Sequence, residues 1–521
     1  MLLKRMAVVL ACALFAAAAL TAAPRVVKTN ILADPGLIDP CTNWTYEVTH
    51  NQWVTLVGYD YAKNEVTPRG AASWTVSADG LVWTFKIRPN WKWSDGQPVT
   101  AKDYEYTFQQ IVDPANAAPQ ASFEFPIKNA EAINQGKMAP TELGAKALDA
   151  STFQITLNAP ASYFLSSLAS FGQATPRWAR EKWGADWVRP EHIVVNGPYK
   201  ISKWVTDSEV DLDKNPSYYD AANVQIDKII LYVVASESTA VAMYEKGELD
   251  TTWNVPATDL DRVRADSVLS KEFKTFPQQR MTSFRFYVAS PPFDNANVRK
   301  AFAMAIDRTA LVTTVTRGGE IPAFTFTPPG CVGYIEPSAG IGIKFDAKGA
   351  QKLLADAGFA GGKGLPPIVY GYNATETNAR IAQALQKMWK DNLGVDVTLK
   401  GVEGGGYTEM MTTGVANMFR QGWGMDYSDA NNMWANLFTS DTTMKGTIMS
   451  PEVDNLVKQA GTTSDVAKRK ALYAQVEKLY DQDLVGAMPL YYAAVNVLVK
   501  PYVTRPVEPT TLQYWTWKTS K

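Results

Sequence analysis

The stretch that most constrains the fold is Trp93-Ser94-Asp95-Gly96-Gln97-Pro98-Val99-Thr100-Ala101-Lys102-Asp103, which joins a tight turn to the start of a helix. Asp and Gly are turn residues, because Asp bonds nearby backbone and Gly tolerates positive φ. Thr100 can cap a helix, with Asp103 at its third position in a capping-box-like pattern. Apolar residues then follow at helical spacing, and Asp113-Pro114 predicts the end of the helix.

Strand and helix patterns alternate on both sides of this stretch. The predicted strands are a hairpin over Ser73–Ile87 with its turn at 78–80, a strand over Ile201–Leu212, another over Ile226–Val234, and Val395–Leu399. The predicted helices are Asn297–Leu311, Asp346–Ala357, Asn378–Asn392 and a last long helix capped by Ser464. A chain of 521 residues is too long for one core, so we expect an α/β fold of two or three domains, with one domain built from distant segments.

The N-terminus has the pattern of a secretory signal. Lys4 and Arg5 precede the apolar run 6–20, which ends in Thr21-Ala22-Ala23. We therefore expect a signal peptide over residues 1–23 and a soluble periplasmic protein. Cys12 lies inside the apolar run rather than at its end, so a lipid anchor is not expected.

Composition and the absence of catalytic motifs exclude several classes of function. The net charge of -1 gives no reason for a nucleic-acid partner or an anionic membrane surface. His50 and His192 are the only histidines and lack metal-ligand spacing, so no metal or other cofactor is expected. No Gly-x-Ser-x-Gly or His-Glu-x-x-His motif occurs, and an enzyme is not expected. In the mature chain Cys41 and Cys331 remain, and whether they pair is left open.

One short segment combines groups suited to ligand binding. It reads Phe419-Arg420-Gln421-Gly422-Trp423-Gly424-Met425-Asp426-Tyr427-Ser428-Asp429. Its glycines let another backbone approach closely, and its aromatic rings can wall a cleft. Asp426 could hold a cationic group and Arg420 an anionic one. The alternative is a strand and turn relieved by glycine, with a salt bridge at the surface.

At this level of detail the chain resembles a known family, the extracellular solute-binding proteins, family 5, of peptide ABC importers. The resemblance rests on short motifs that occur in the same order along nearly the whole mature chain. They are residues 34–40 (DPGLIDP), 93–103, 196–199 (NGPY), 214–219 (KNPSYY), 291–294 (PPFD), 298–301 (VRKA), 305–308 (AIDR), 392–397 (NLGVDV) and 422–427 (GWGMDY).

The resemblance implies a periplasmic-binding-protein-like flytrap of three domains, with mixed sheets flanked by helices. The implied boundaries are 24–56, 182–281 and 494–521 for the discontinuous domain I, 57–181 for domain II and 282–493 for domain III. It implies a monomer that captures an oligopeptide between domains I and III by main-chain pairing. The implied second partner is the membrane permease of the importer.

The resemblance also implies roles for single residues. Asp426 matches the carboxylate that binds the peptide α-ammonium, and Arg420 matches a basic residue that can meet the terminal carboxylate of a short peptide. Gly422, Trp423 and Gly424 match the strand that pairs with the peptide, and Asn43, Trp44 and Tyr46 match the facing segment of domain I. Gly404 and Asn378 stand where the family has a tryptophan and a histidine, which leaves peptide length and side-chain preference open.

Three alternative functions remain at this level. An oligosaccharide- or other small-solute-binding member of the same fold would also use an aromatic cleft, but it would not need an acid facing a cation. A periplasmic hydrolase would need catalytic motifs. A receptor for signalling or folding assistance could use the same cleft.

Overall fold

The structure, a computed structural model, describes residues 23–42, 46–403, 406–440, 446–508 and 512–521. The predicted signal peptide therefore lies almost entirely outside the described residues. Of the helices in the described part, none is long and apolar enough to cross a membrane. The chain folds into three α/β domains, as the sequence predicts, and the first of them is discontinuous.

The strands of the described residues lie in five sheets. In chain order they are β1 (Val26–Ile31), β2 (Val57–Asp60), β3 (Glu65–Pro68), β4 (Ala71–Val76), β5 (Val82–Ile87), β6 (Ala145–Ala147), β7 (Thr152–Thr156), β8 (Tyr199–Val205), β9 (Glu209–Lys214), β10 (Lys228–Val233), β11 (Phe273–Phe286), β12 (Ile321–Pro322), β13 (Ile368–Asn373), β14 (Val397–Val402), β15 (Met418–Gly424), β16 (Ala487–Leu498), β17 (Val503–Thr504) and β18 (Lys518–Thr519).

The α-helices flank these sheets. They are Tyr46–Gln52, Ala101–Val112, Ala130–Asn134, Phe164–Phe171, Arg177–Trp183, Glu237–Glu245, Leu260–Ala265, Leu269–Glu272, Ala296–Met304, Arg308–Ala310, Ala347–Asp356, Glu376–Leu393, Gly406–Thr413, Ala430–Leu437, Pro451–Thr462 and Val466–Glu477. Two of them continue as π-helical turns, over Leu311–Thr316 and Lys478–Leu484.

The first domain is assembled from chain segments that are far apart in sequence. Its sheet has the order β1-β10-β9-β8, in which β1 pairs in parallel with β10 about 200 residues later. Val27, Ile229 and Leu512 belong to the same buried core, so three segments that are far apart in sequence share one core. Burial of this shared apolar surface holds the separate segments in one domain.

The second domain is built around the stretch that opened the sequence. Its sheet has the order β4-β5-β7-β6, and β4 and β5 form the predicted hairpin. The helix Ala101–Val112 packs on this sheet and begins with the predicted capping box. In that box the Asp103 carboxylate accepts the Thr100 N–H at 2.8 Å.

The third domain contains a six-stranded mixed sheet of order β12-β16-β11-β15-β13-β14. Its two longest strands, β11 and β16, extend beyond it toward the first domain, and they pair with each other along both parts. Their register shifts between Pro277 and Met281. The connection between the first and third domains therefore runs through an irregular stretch of two paired strands. The exact domain boundaries stay a prediction.

Three details of the sequence prediction are wrong. The single strand predicted over Ile201–Leu212 is a hairpin of β8 and β9, because the chain turns at Asp207, whose φ is +56°. The helix predicted over Asn297–Leu311 ends at Met304, and Asp307 caps a new one by accepting the Ala310 N–H. The last long helix is capped by Asp465 rather than by Ser464.

The two cysteines of the described chain do not form a disulfide. Both Cys41 and Cys331 are free and buried. Cys41 lies 3.8 Å from the hydroxyl of Thr175, whereas Cys331 belongs to an apolar core of the third domain. The sequence left open whether the two cysteines pair, and the structure shows two separate thiols.

Candidate functional site

The strand β15 offers a partly unpaired edge. It pairs with β11 from Met418 to Gly424, but it pairs with β13 only at Met418 and Phe419. No other described strand pairs with its residues 420–424 on the β13 side. From Gly422 onward, one side of the strand is therefore open to main-chain pairing with another chain.

The pairing pattern shows which groups point to this open edge. Just beyond β15, the Met425 N–H donates to the Gln279 carbonyl of the β11 strand. Hydrogen-bonded positions alternate along an antiparallel pair, so the main-chain groups of Gly422 and Gly424 point away from β11. Because neither residue has a side chain, another backbone can approach the strand closely there.

Asp426 lies just beyond this edge and is held by Asn432. The Asn432 side-chain amide donates to the Asp426 carboxylate at 3.0 Å, and its oxygen accepts the Asp426 N–H at 3.1 Å. The same oxygen accepts the indole N–H of Trp423 at 2.7 Å. Asn432 is fully buried, while Asp426 and Trp423 are half-buried. One amide therefore fixes both the acid and the ring at the end of the strand.

The position of Asn432 depends on the start of its helix, Ala430–Leu437. Asp429 caps this helix by accepting the Asn431 N–H, and its other oxygen accepts from Arg469 at 2.6 Å. Both members of this ion pair are buried. Burial raises the pKa of Asp429, and the neighbouring guanidinium of Arg469 partly offsets that rise. The helix start that orients Asn432 is thus anchored in the core.

All three domains meet beside Asp426. His50 of the first domain donates from Nε2 to the Ser170 carbonyl of the second at 2.8 Å. The Ser170 hydroxyl donates in turn to the Asp426 carbonyl of the third at 2.5 Å. Burial lowers the pKa of His50 to about 4, so its ring is neutral near pH 7. Nearby, the rings of Tyr163 and Tyr427 stack at 5.8 Å.

A second group of polar side chains lies at the other end of the open edge. Arg420 donates to the Asn373 side-chain oxygen at 3.1 Å, and Asn378 donates to the Asn373 carbonyl at 3.0 Å. The Tyr407 hydroxyl donates to the main-chain carbonyl of Arg420. Arg420 and Asn378, which are 42 positions apart in the sequence, are thus joined through Asn373.

The structure brings together most, but not all, of the residues expected from the sequence. Gly422, Trp423, Gly424, Asp426, Arg420 and Asn378 lie along one strand edge and its two ends. Asn43, Trp44 and Gly404 lie outside the described residues. Only the main chain of Tyr46 is described, and it begins the helix Tyr46–Gln52.

Two residues of the site were missed from the sequence. Asn432 lies one helical turn past the motif, and its only signal is its place after the cap at Asp429. Ser170 comes from another domain, and no local pattern marks it. Tyr427 is largely buried and stacked on Tyr163, and it also lines a cavity that His50 and Ser170 border.

Comparison with known proteins gives relatives over nearly the whole chain. The model of bacterial extracellular solute-binding proteins, family 5, matches residues 65–445. The periplasmic oligopeptide-binding protein of Salmonella typhimurium is 34% identical over 84% of this chain and 81% of its own. The probable deoxycholate-binding periplasmic protein of Escherichia coli is 31% identical over 92% of this chain and 90% of its own.

A solved structure agrees with these relatives. The murein tripeptide binding protein of Escherichia coli superposes with a TM-score of 0.79 and 29% identity, covering 96% of this chain and 99% of that one. The match therefore extends to the arrangement of all three domains. The chain belongs to family 5 of the bacterial extracellular solute-binding proteins.

Proposed function

We propose that this protein captures oligopeptides between its first and third domains and delivers them to the membrane permease of an ABC importer. The observation that carries the proposal is the open edge of β15, which ends at an acid held by Asn432. A peptide can add to this edge as a further strand. Main-chain bonds then supply affinity that does not depend on the peptide's sequence.

The charges at the two ends fit a peptide in one direction. Asp426 is the counter-charge for an α-ammonium, and the Asn432 amide orients its carboxylate. Arg420 lies toward the other end and suits a terminal carboxylate of a short peptide. Gly422 and Gly424 lie between these two charges, and because they have no side chains the main chain of the ligand can approach the strand there. Asn43, Trp44 and Tyr46 would face the ligand from the first domain, and Gly404 and Asn378 would border its far end.

The proposal includes a cellular setting, which the periplasmic relatives support. Residues 1–23 would direct export and be removed, leaving a periplasmic monomer without a lipid anchor. The domains would have the boundaries predicted from the sequence, and closure of the first and third domains would enclose the peptide. The protein would act as a binder without a cofactor and without catalysis.

A second candidate ligand is an amphipathic carboxylate. The relative from Escherichia coli named as probably deoxycholate-binding supports it. Deoxycholate carries a carboxylate that could meet Arg420, but it carries no ammonium for Asp426. The two candidates therefore differ in whether a cationic group on the ligand is required.

The test is calorimetric titration with a pentapeptide in three forms: unmodified, N-acetylated and C-terminally amidated. We expect acetylation to weaken binding at least about tenfold, since about 1.4 kcal/mol corresponds to one decade of affinity. The amidated form is the control, because it keeps the ammonium. Equal affinity for acetylated and unmodified peptide would exclude the role of Asp426. Tight deoxycholate binding without peptide binding would favour the second candidate.

A further inference from the structure

A second arginine, Arg280, lies on the same face of the sheet as Arg420. In the register of β11 and β15, Arg280 is opposite Gly424, Thr282 is opposite Gly422, and Phe284 is opposite Arg420. Side chains alternate between the two faces of a sheet, so these positions all share one face. No local sequence pattern links Arg280 to the motif, because it lies about 140 positions away.

The two guanidinium groups occupy the space left by the two glycines. A Cβ placed on Gly424 would lie 3.4 Å from Arg280 Nη1, and one placed on Gly422 would lie 3.1 Å from Arg420 Nη2. The two glycines are two residues apart on one strand, which corresponds to about 7 Å. The two cationic groups therefore lie side by side over the strand whose edge is open.

Neither arginine is neutralised within the described part of the chain. Arg280 is exposed and forms no ion pair there, and the hydrogen bond that the Arg420 guanidinium donates there goes to the neutral Asn373. Surrounding protein lowers the pKa of Arg280, and the charge of Arg420 lowers it further. Two like charges held together in this way repel each other, and a ligand anion between them would relieve the repulsion.

We infer that Arg280 and Arg420 together bind a carboxylate of the ligand, which makes Arg280 a specificity-determining residue. The inference rests on the proposed peptide function. With the ammonium at Asp426, the ligand residues beside Gly424 and Gly422 are among the first three of the peptide. The carboxylate is therefore either an acidic side chain near the amino end or the terminal carboxylate of a very short peptide.

The test compares wild type with Arg280→Gln, which keeps the size of the side chain and removes its charge. The first ligand set is pentapeptide amides of alanine with Glu or Gln at position 2 or 3. The second set is trialanine with a free or an amidated C-terminus. Arg177→Gln is the matched control, since Arg177 is exposed on a helix of the second domain and forms a surface ion pair with Glu181.

We expect wild type and Arg177→Gln to prefer the ligand with the carboxylate about tenfold in at least one set, and Arg280→Gln to lose most of that preference. A Glu preference assigns the carboxylate to a side chain, and a free-terminus preference assigns it to the C-terminus. Equal affinities in both sets, or a preference that survives in Arg280→Gln, would overturn the inference.

Failure of the inference can be separated from failure of the proposed function. The pentaalanine amide has an ammonium but no carboxylate. We expect it to bind wild type and Arg280→Gln with similar affinity, because its main chain and its amino end are still recognised. If it binds while carboxylates make no difference, only the inference fails. If no peptide binds to wild type at all, the proposed function fails as well.

Discussion

The two ends of the open edge of β15 are built in opposite ways. At the Asp426 end a single acid is held by a buried amide, by the anchored start of a helix and by a main-chain contact from Ser170 of the second domain. From Gly424 toward Arg420, two cationic side chains lie over the two glycines, and the one side-chain hydrogen-bond partner found for them in the described residues is Asn373, which accepts from Arg420.

This difference indicates which ligand groups each end can recognise. A rigidly held acid suits a group that every ligand has in the same place, such as the ammonium of a peptide. Long arginine side chains over bare glycines can reorient, so they suit a group whose position varies with peptide length or sequence. Preorganisation at one end and adaptability at the other would let one cleft accept many peptides in a single register.

The largest effect is expected when the charge of Asp426 at the rigid end is removed. Asp426→Asn removes the charge of the side chain but keeps its shape, so the side chain can still form hydrogen bonds with Asn432. We expect peptide affinity to fall at least about 30-fold, since truncating one partner of a desolvated charge pair costs roughly 2–5 kcal/mol. The measurement is calorimetric titration with a free and an acetylated peptide, and in this variant the two should bind almost equally.

A matched control separates this effect from a general change in charge. Asp483→Asn removes an exposed acid of the same domain. It should leave the affinity and the acetylation penalty unchanged. If Asp426→Asn kept the wild-type penalty, the ammonium would have to be recognised elsewhere.

The second effect tests whether the rigidity itself matters. Asn432→Ala leaves Asp426 in place but removes the amide that orients it, and it leaves the Trp423 indole N–H without its acceptor. We expect about a tenfold loss of affinity, because charge-assisted hydrogen bonds contribute roughly 1.5–3 kcal/mol. The penalty for N-acetylation should shrink at the same time, which a purely structural role would not cause.

Asn436→Ala is the control for this variant. Asn436 lies one turn further along the same helix, and its side chain donates to the main-chain carbonyl of Asn432. Its loss should lower the melting temperature slightly and leave the acetylation penalty intact. An unchanged penalty in Asn432→Ala would show that Asp426 is oriented without the amide.

The rigid end also shows how far sequence reasoning reaches. Asp426, Trp423 and the two glycines are adjacent in the chain, so a local motif together with a family resemblance was enough to select them. Asn432 is close in sequence, but the helix start that turns it back toward Asp426 depends on the buried pair of Asp429 and Arg469. Its role could be seen only after the fold was known.

The adaptable end was harder to predict for a physical reason. Arg280 reaches Gly424 only because β11 and β15 pair in one particular register, and strand pairing between distant segments has no local signal. The split of the predicted strand 201–212 has a different cause, a turn made by a single residue, Asp207, with positive φ. Capping residues and hairpin turns were predicted correctly at the opening stretch, because those interactions are local.

The smallest expected effect tests the contact between the rigid end and the second domain. Ser170→Ala removes the hydroxyl that donates to the Asp426 carbonyl but does not touch the ligand charge. A neutral hydrogen bond contributes about 0.5–1.5 kcal/mol, so we expect a three- to tenfold loss of affinity. The loss should appear mainly as faster dissociation in stopped-flow tryptophan fluorescence, because the bond joins domains around a ligand already in place. Ser166→Ala, on the same helix one turn earlier, should change neither rate. A slower association rate with unchanged dissociation would instead place the Ser170 contact in the open state, before the ligand arrives.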